Sequence, residues 1–202
     1  YQVLFFQTAP SGSGASAGLR FVGNRLYAHM TPDTLNIGAF ENNKMVHVAY
    51  TVSDNEINAY VNGTITAQTT HSGVISCENP IIIGANSRSL QQGYRGYMDE
   101  FRFWSYARTQ DQIQENMYKT LTGTETGLEL YLRFDTGSGN IAVDSSPNGY
   151  HGEITGATWV PGLVDLEGLA PPGTVDISAT LRGSSSATAK ADHIRGLSAH
   201  LT

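Results

Sequence analysis

Two stretches of this 202-residue chain carry enough oxygen donors to hold a hard cation: Asp135-Thr136-Gly137-Ser138-Gly139-Asn140 and Asp144-Ser145-Ser146-Pro147-Asn148-Gly149. Calcium takes roughly six to eight oxygens from carboxylates, amide groups and backbone carbonyls. Asp135, Asp144 and Asn148 are therefore the candidate metal ligands, with calcium as the candidate cofactor. Asp and Asn before small residues also build Asx-turns with no metal at all, so residue types leave both readings open.

Asp99 and Glu100 are the other close carboxylate pair. Retaining glycosidases hold two carboxylates on one side of the bond they break, whereas adjacent residues of a strand point to opposite faces. On an extended 97–104 segment Asp99 shares a face with Tyr97, Phe101 and Phe103, and Glu100 faces the other way with Met98, Arg102 and Trp104. A carboxylate among aromatics must be hydrogen-bonded, which favours a structural role for Asp99. Glu100 and Arg102 read as a surface ion pair. His29, His47, His71, His151, His193 and His200 show no His-Glu-x-x-His spacing, and no Gly-x-Ser-x-Gly accompanies them. Cys77 has no basic neighbour in sequence to lower its pKa. The expectation is a protein without catalysis. For binding, a flat aromatic face packs on the apolar face of a sugar. Tyr27, Tyr94, Tyr118 and Tyr150, in or near expected loops, are the candidate ligand-binding residues, with half-buried lid residues as the alternative reading.

These residues need elements to position them. Val46, Val48, Tyr50 and Val52 alternate with His47, Ala49 and Thr51, which predicts a strand over 45–52 with the two sets on opposite faces. Asn62-Gly63, a strong two-residue hairpin signal, joins strands expected over 56–61 and 64–69. Asn62-Gly63-Thr64 is also formally a glycosylation sequon, but the turn accounts for the same residues. Pro80-Ile81-Ile82-Ile83-Gly84 reads as a central strand, Leu128, Leu130, Leu132 and Phe134 as another, and 153–160 as the last. Thr109 with Gln112 forms a capping box and Ile113 with Met117 an apolar pair, so 109–119 is the one expected helix. After Pro161 the texture changes. Residues 161–173 read as a linker, and in 174–202 Ile177-Ser178-Ala179-Thr180-Leu181 returns as Leu197-Ser198-Ala199-His200-Leu201, with Ser186-Ala187-Thr188-Ala189 as a weaker echo. Either a small-residue β-repeat that needs neighbours or a disordered linker fits that composition.

Twelve Lys and Arg against 18 Asp and Glu leave a net charge of −6, which argues against nucleic acid because phosphate binding needs a basic surface. No apolar run reaches the ~18 residues of a membrane span. A single cysteine rules out an intrachain disulfide. The chain starts within a strand pattern and stops within a repeat, and so is expected to be a piece of a longer polypeptide.

Gly96-Tyr97-Met98-Asp99-Glu100-Phe101-Arg102-Phe103-Trp104, then Ala107-Arg108-Thr109-Gln110, then Leu130-Tyr131-Leu132-Arg133-Phe134-Asp135 and the Asp144 to Gly149 loop occur in an order that resembles the closing half of laminin-G-like domains. His47-Val48-Ala49-Tyr50 through Ala59-Tyr60-Val61-Asn62-Gly63 is similar to the central meander of laminin-G-like and pentraxin-like domains. The resemblance covers 1–160 and implies an all-β, concanavalin A-like jelly-roll sandwich with one short helix, its opening strands lying before Tyr1. Pentraxin-like relatives bind calcium in the loop that here reads Ala85-Asn86-Ser87-Arg88-Ser89-Leu90-Gln91-Gln92, which has no carboxylate. The Glu-x-Asp-x-x-Glu motif of laminarinase-like hydrolases is absent from the chain. The repeat segment resembles tail and head-fibre proteins of tailed bacteriophages. Together these imply a non-enzymatic structural and binding module of a virion or extracellular fibre, oligomeric, with other subunits and glycans as partners. The alternatives are a secreted bacterial adhesin or lectin, or the carbohydrate-binding appendage of an enzyme.

Overall fold

Apolar residues two apart in short segments give each segment one face to bury, and two sheets stacked face to face bury those faces together. The computed structural model describes residues 2–8, 16–30, 33–41, 44–53, 56–70, 80–85, 93–160, 186–189 and 198–201. Its strands are β1 (Gln2–Thr8), β2 (Ser16–Val22), β3 (Arg25–Met30), β4 (Asp33–Ala39), β5 (Val48–Ser53), β6 (Glu56–Val61), β7 (Thr64–Thr70), β8 (Ile81–Ile83), β9 (Phe101–Trp104), β10 (Leu128–Leu132), β11 (Ile141–Ala142), β12 (Gly152–Thr155), β13 (Ser186–Ala189) and β14 (Ser198–Leu201). The helix α1 spans Gln110–Asn116. An eight-stranded sheet runs β11-β12-β13-β8-β1-β2-β3-β4, and a six-stranded sheet runs β10-β9-β14-β5-β6-β7. The described residues form the expected β-sandwich with one short helix. No helix among the described residues is long and apolar enough to cross a membrane.

The core lies between the sheets. Phe5 of β1 stacks on Tyr50 of β5 at 5.8 Å between ring centroids, and meets Phe101 of β9 edge-on at the same separation. Leu19, Leu26, Met30, Ile57, Ile81, Phe103 and Leu130 complete its centre. Such aromatic pairs add roughly 0.5–1.5 kcal/mol to the area they bury.

The outer face of the six-stranded sheet is covered as well. Thr109 caps α1 as expected: its Oγ1 accepts from the Gln112 N–H at 3.2 Å, and Gln112 Oε1 accepts from the Thr109 N–H at 3.0 Å. Ile113 then packs on Ala49 and Tyr60. Gln114 donates to the Gly63 carbonyl at 2.9 Å. Gly63 sits at φ 73°, where a Cβ would fall 2.7 Å from the Gln114 side chain, so both the turn and the helix contact need glycine. Residues 48–52 are all buried, Val48, Tyr50 and Val52 in the core between the sheets and Ala49 beneath α1.

Two expectations change. The 97–104 segment is a strand only from Phe101, because Glu100 adopts φ 54°, which breaks the extended run and with it the facing assigned to Tyr97, Met98 and Asp99. The strand expected over 153–160 ends at Thr155, and Trp159 instead donates its indole N–H to the Gly139 carbonyl at 2.7 Å.

Two strands from beyond residue 185 lie within the sheets. β13 pairs antiparallel with β12 and β8, and β14 with β5 and β9. These segments of the 174–202 stretch therefore lie within the sandwich; Ile177 to Leu181, the linker 161–173, Cys77, His71, His193 and the 86–92 loop lie outside the described residues.

Candidate functional site

Asp144 sits where the chain passes from β11 toward β12, bridging to Leu132 at the end of β10. It is buried, and four donors surround its carboxylate. Oδ1 accepts from the backbone N–H groups of Tyr131 (2.8 Å) and Ser146 (2.9 Å), and Oδ2 from the Ser146 hydroxyl (2.7 Å) and the Tyr150 N–H (2.8 Å). Its own N–H donates to His151 Nδ1 at 3.0 Å. Asn148 Nδ2 donates to the Glu129 carbonyl at 2.9 Å and to Glu129 Oε2 at 3.1 Å, while Asp135 pairs with Arg133 at 2.7 Å on the surface. The three candidate calcium ligands are thus tied to three different sets of partners. Among the described residues no cluster of three or more His, Cys, Asp or Glu side chains is placed to hold a metal. What the arrangement does is fasten the 144–151 loop to β10.

Tyr131 joins that clasp to a second polar group. Its hydroxyl donates to Glu100 Oε2 at 2.5 Å and accepts from the Leu121 N–H at 3.1 Å. Glu100 is ion-paired with Arg102, and both are buried, which corrects the expected surface pair. The reason is α1 and the segment after it, which fold over the face that β9 would otherwise expose. Arg102 Nη1 donates to the Asn116 carbonyl at 2.8 Å and Nη2 to the Lys119 carbonyl at 2.5 Å. The helix carries no basic residue in its last turn, and the guanidinium from the sheet supplies the missing cation at that end. Its carbon also lies 5.2 Å from the Tyr131 ring centre. Burial, reinforced by the Glu100 hydrogen bond, pushes the Tyr131 hydroxyl pKa well up.

Two neighbours titrate abnormally. Asp99, half-buried and beside the Glu100 charge, is pushed up to about 7. His47 is buried under the influence of Arg102 and is lowered to about 3, so its ring is neutral at ordinary pH. The His47 backbone is held by Asn62, whose Oδ1 accepts the His47 N–H at 3.0 Å.

The four candidate tyrosines do not converge. Tyr94 stacks on Phe21 at 6.3 Å and packs against the core, as does Tyr150. Both match the lid alternative better than an open platform. Tyr118 is half-buried just after α1. Tyr27 lies within β3 rather than in a loop. Leu26, Ala28 and Met30 face the core, which puts Arg25, Tyr27 and His29 on the outer face of the eight-stranded sheet. There Tyr27 stands opposite Arg20 of β2 on one side and Asn36 of β4 on the other. The next row holds His29, whose Nδ1 lies 3.1 Å from the Thr34 hydroxyl.

Sequence comparison matches residues 2–114 to the concanavalin A-like lectin/glucanases superfamily, over half of the chain. The chain belongs to this superfamily. Among solved structures it is similar to a putative carbohydrate binding protein from Bacteroides ovatus, at 23% identity and a TM-score of 0.56. That match covers 72% of this chain and 46% of the other, so the chain spans less than half of that protein's length. No curated protein matches the sequence. Here Glu100 is held by Arg102 and Tyr131, and Asp144 by four donors, so neither is open to a substrate. Sequence reasoning missed the burial of Arg102 and the Arg20–Tyr27–Asn36 row. The second was signalled by the alternation of Arg25, Tyr27 and His29 with Leu26, Ala28 and Met30; the first depends on a helix packing back from further along the chain.

Proposed function

We propose that this chain is a non-enzymatic carbohydrate-binding module, and that it binds glycans on the outer face of its eight-stranded sheet. The observation that carries this reading is the cross-strand row Arg20, Tyr27, Asn36. An aromatic ring flanked by a guanidinium and an amide offers an apolar surface for a pyranose and fixed hydrogen-bond partners for its hydroxyls. Membership of a superfamily named for lectins, and likeness to a protein described as carbohydrate-binding, support the same reading. We place the module in a larger extracellular or virion-borne fibre, where weak individual sites gain strength by repetition.

Binding to an immobilised oligosaccharide array, followed by calorimetry on the best hit, tests the proposal. Tyr27→Ala should weaken the interaction roughly tenfold or more while leaving the melting temperature nearly unchanged. Retained affinity in that variant would move the site elsewhere, and absence of binding to any glycan in the wild type would remove the reading.

A further inference from the structure

The order of strands in the two sheets contains two positions that no described strand before residue 161 fills. Without β14 the six-stranded sheet separates into β10-β9 and β5-β6-β7; without β13 the eight-stranded sheet separates into β11-β12 and β8-β1-β2-β3-β4. Each slot is bounded by two strand edges whose N–H and C=O groups need a ladder. The inner faces of these edges carry Tyr50 and Phe103 at one slot and Ile81 and Ile83 at the other, all buried. A slot of this kind demands an extended occupant.

Recognition of the occupant is by register. Ser198, Ala199, His200 and Leu201 stand opposite Thr51, Tyr50, Ala49 and Val48, and Ala187, Thr188 and Ala189 opposite Ile83, Ile82 and Ile81. Backbone pairing of this sort is the same whichever molecule supplies the strand. The chain between the end of β12's loop and β13, residues 161–185, is 25 residues long. Fully extended it reaches ~80 Å, against a radius of gyration of ~17 Å for a folded chain of this size. It is long enough to deliver β13 and β14 to a neighbouring molecule. Where copies are crowded, a neighbour's strands compete for the same slots.

We propose that the two slots form a docking surface for β13 and β14 of a second copy of this chain, so that strand exchange links copies into an assembly. The inference stands on the strand order alone and is independent of the glycan reading.

Cross-linking across the β14–β5 register tests it. In a Cys77→Ser background, full-length copies carrying Thr51→Cys are mixed and co-refolded at high concentration with copies carrying Ser198→Cys, then mildly oxidised. Exchange should give a mixed disulfide dimer at least tenfold more abundant than in either variant alone, and its yield should rise with concentration. Val48→Cys with Leu201→Cys repeats the test at the other end of the register, in case the first pair disturbs folding. The proposal is overturned if the mixtures stay monomeric at every concentration while the double variant closes within one molecule, or if single variants dimerise as readily as the mixture.

Discussion

Asp144 commits both carboxylate oxygens to four protein donors, so its removal leaves several buried N–H groups without acceptors. Asp144→Ala should lower stability by roughly 2–5 kcal/mol in urea denaturation. A cation in this loop would compete with those donors and with Arg133 for Asp135, and the expected melting temperature is the same with and without added calcium. A rise that disappears in Asp135→Ala would assign the loop to metal instead. Asp99 and His47 act on stability in opposite directions as pH changes. Asp99 titrates near 7 in the fold and near 3.8 when free, so the native state holds the extra proton between these values and stability falls as pH rises through that window. Asp99→Asn should flatten that fall and exceed the wild type at pH 8 by roughly 1–3 kcal/mol, a range that allows for its partial solvent screening. His47 titrates near 3 against 6.5 when free, so its contribution is full above 6.5 and is lost as pH falls toward 3. Denaturant midpoints across pH 3–9 should therefore pass through a maximum that moves upward in pH in Asp99→Asn.

At the scale of elements, α1 is held at both ends by different means. Thr109 caps its start, and Thr109→Ala should cost about 1 kcal/mol in equilibrium unfolding. Its end rests on Arg102, a strand residue, and Arg102→Ala leaves Glu100 buried without its counter-charge, a loss of about 3–5 kcal/mol. The double variant Arg102→Met with Glu100→Gln should recover much of that loss, because it removes the uncompensated charge. The capping box and the Asn62-Gly63 turn were legible in the sequence because each depends on residues three or fewer positions apart. The burial of Arg102 was not, since it requires carbonyls 14 and 17 residues further on. Likewise the break at Glu100 leaves no mark in the alternation of residues 97–104, whereas the strand that carries Tyr27 is marked by the alternation of residues 25–30. The candidate calcium ligands were legible as an oxygen-rich loop, but which oxygens face donors and which face solvent is decided by how β10 and the loop pack.

For the whole molecule, each of the two sheets is joined across its middle by a strand from beyond residue 185. Deleting residues 186–202 should therefore open both sheets, and the shortened chain should bind a hydrophobic dye and aggregate at temperatures where the undeleted chain is clear. β5 ends at Ser53, yet its neighbour β14 begins at Ser198. At ~5–20 residues per second of synthesis, the gap beside β5 stands unfilled for on the order of ten seconds after its own residues are joined. Pairing partners this far apart in sequence are also the slowest to find each other. During translation the chain therefore passes through a stage in which it resembles a clasp with its pin withdrawn.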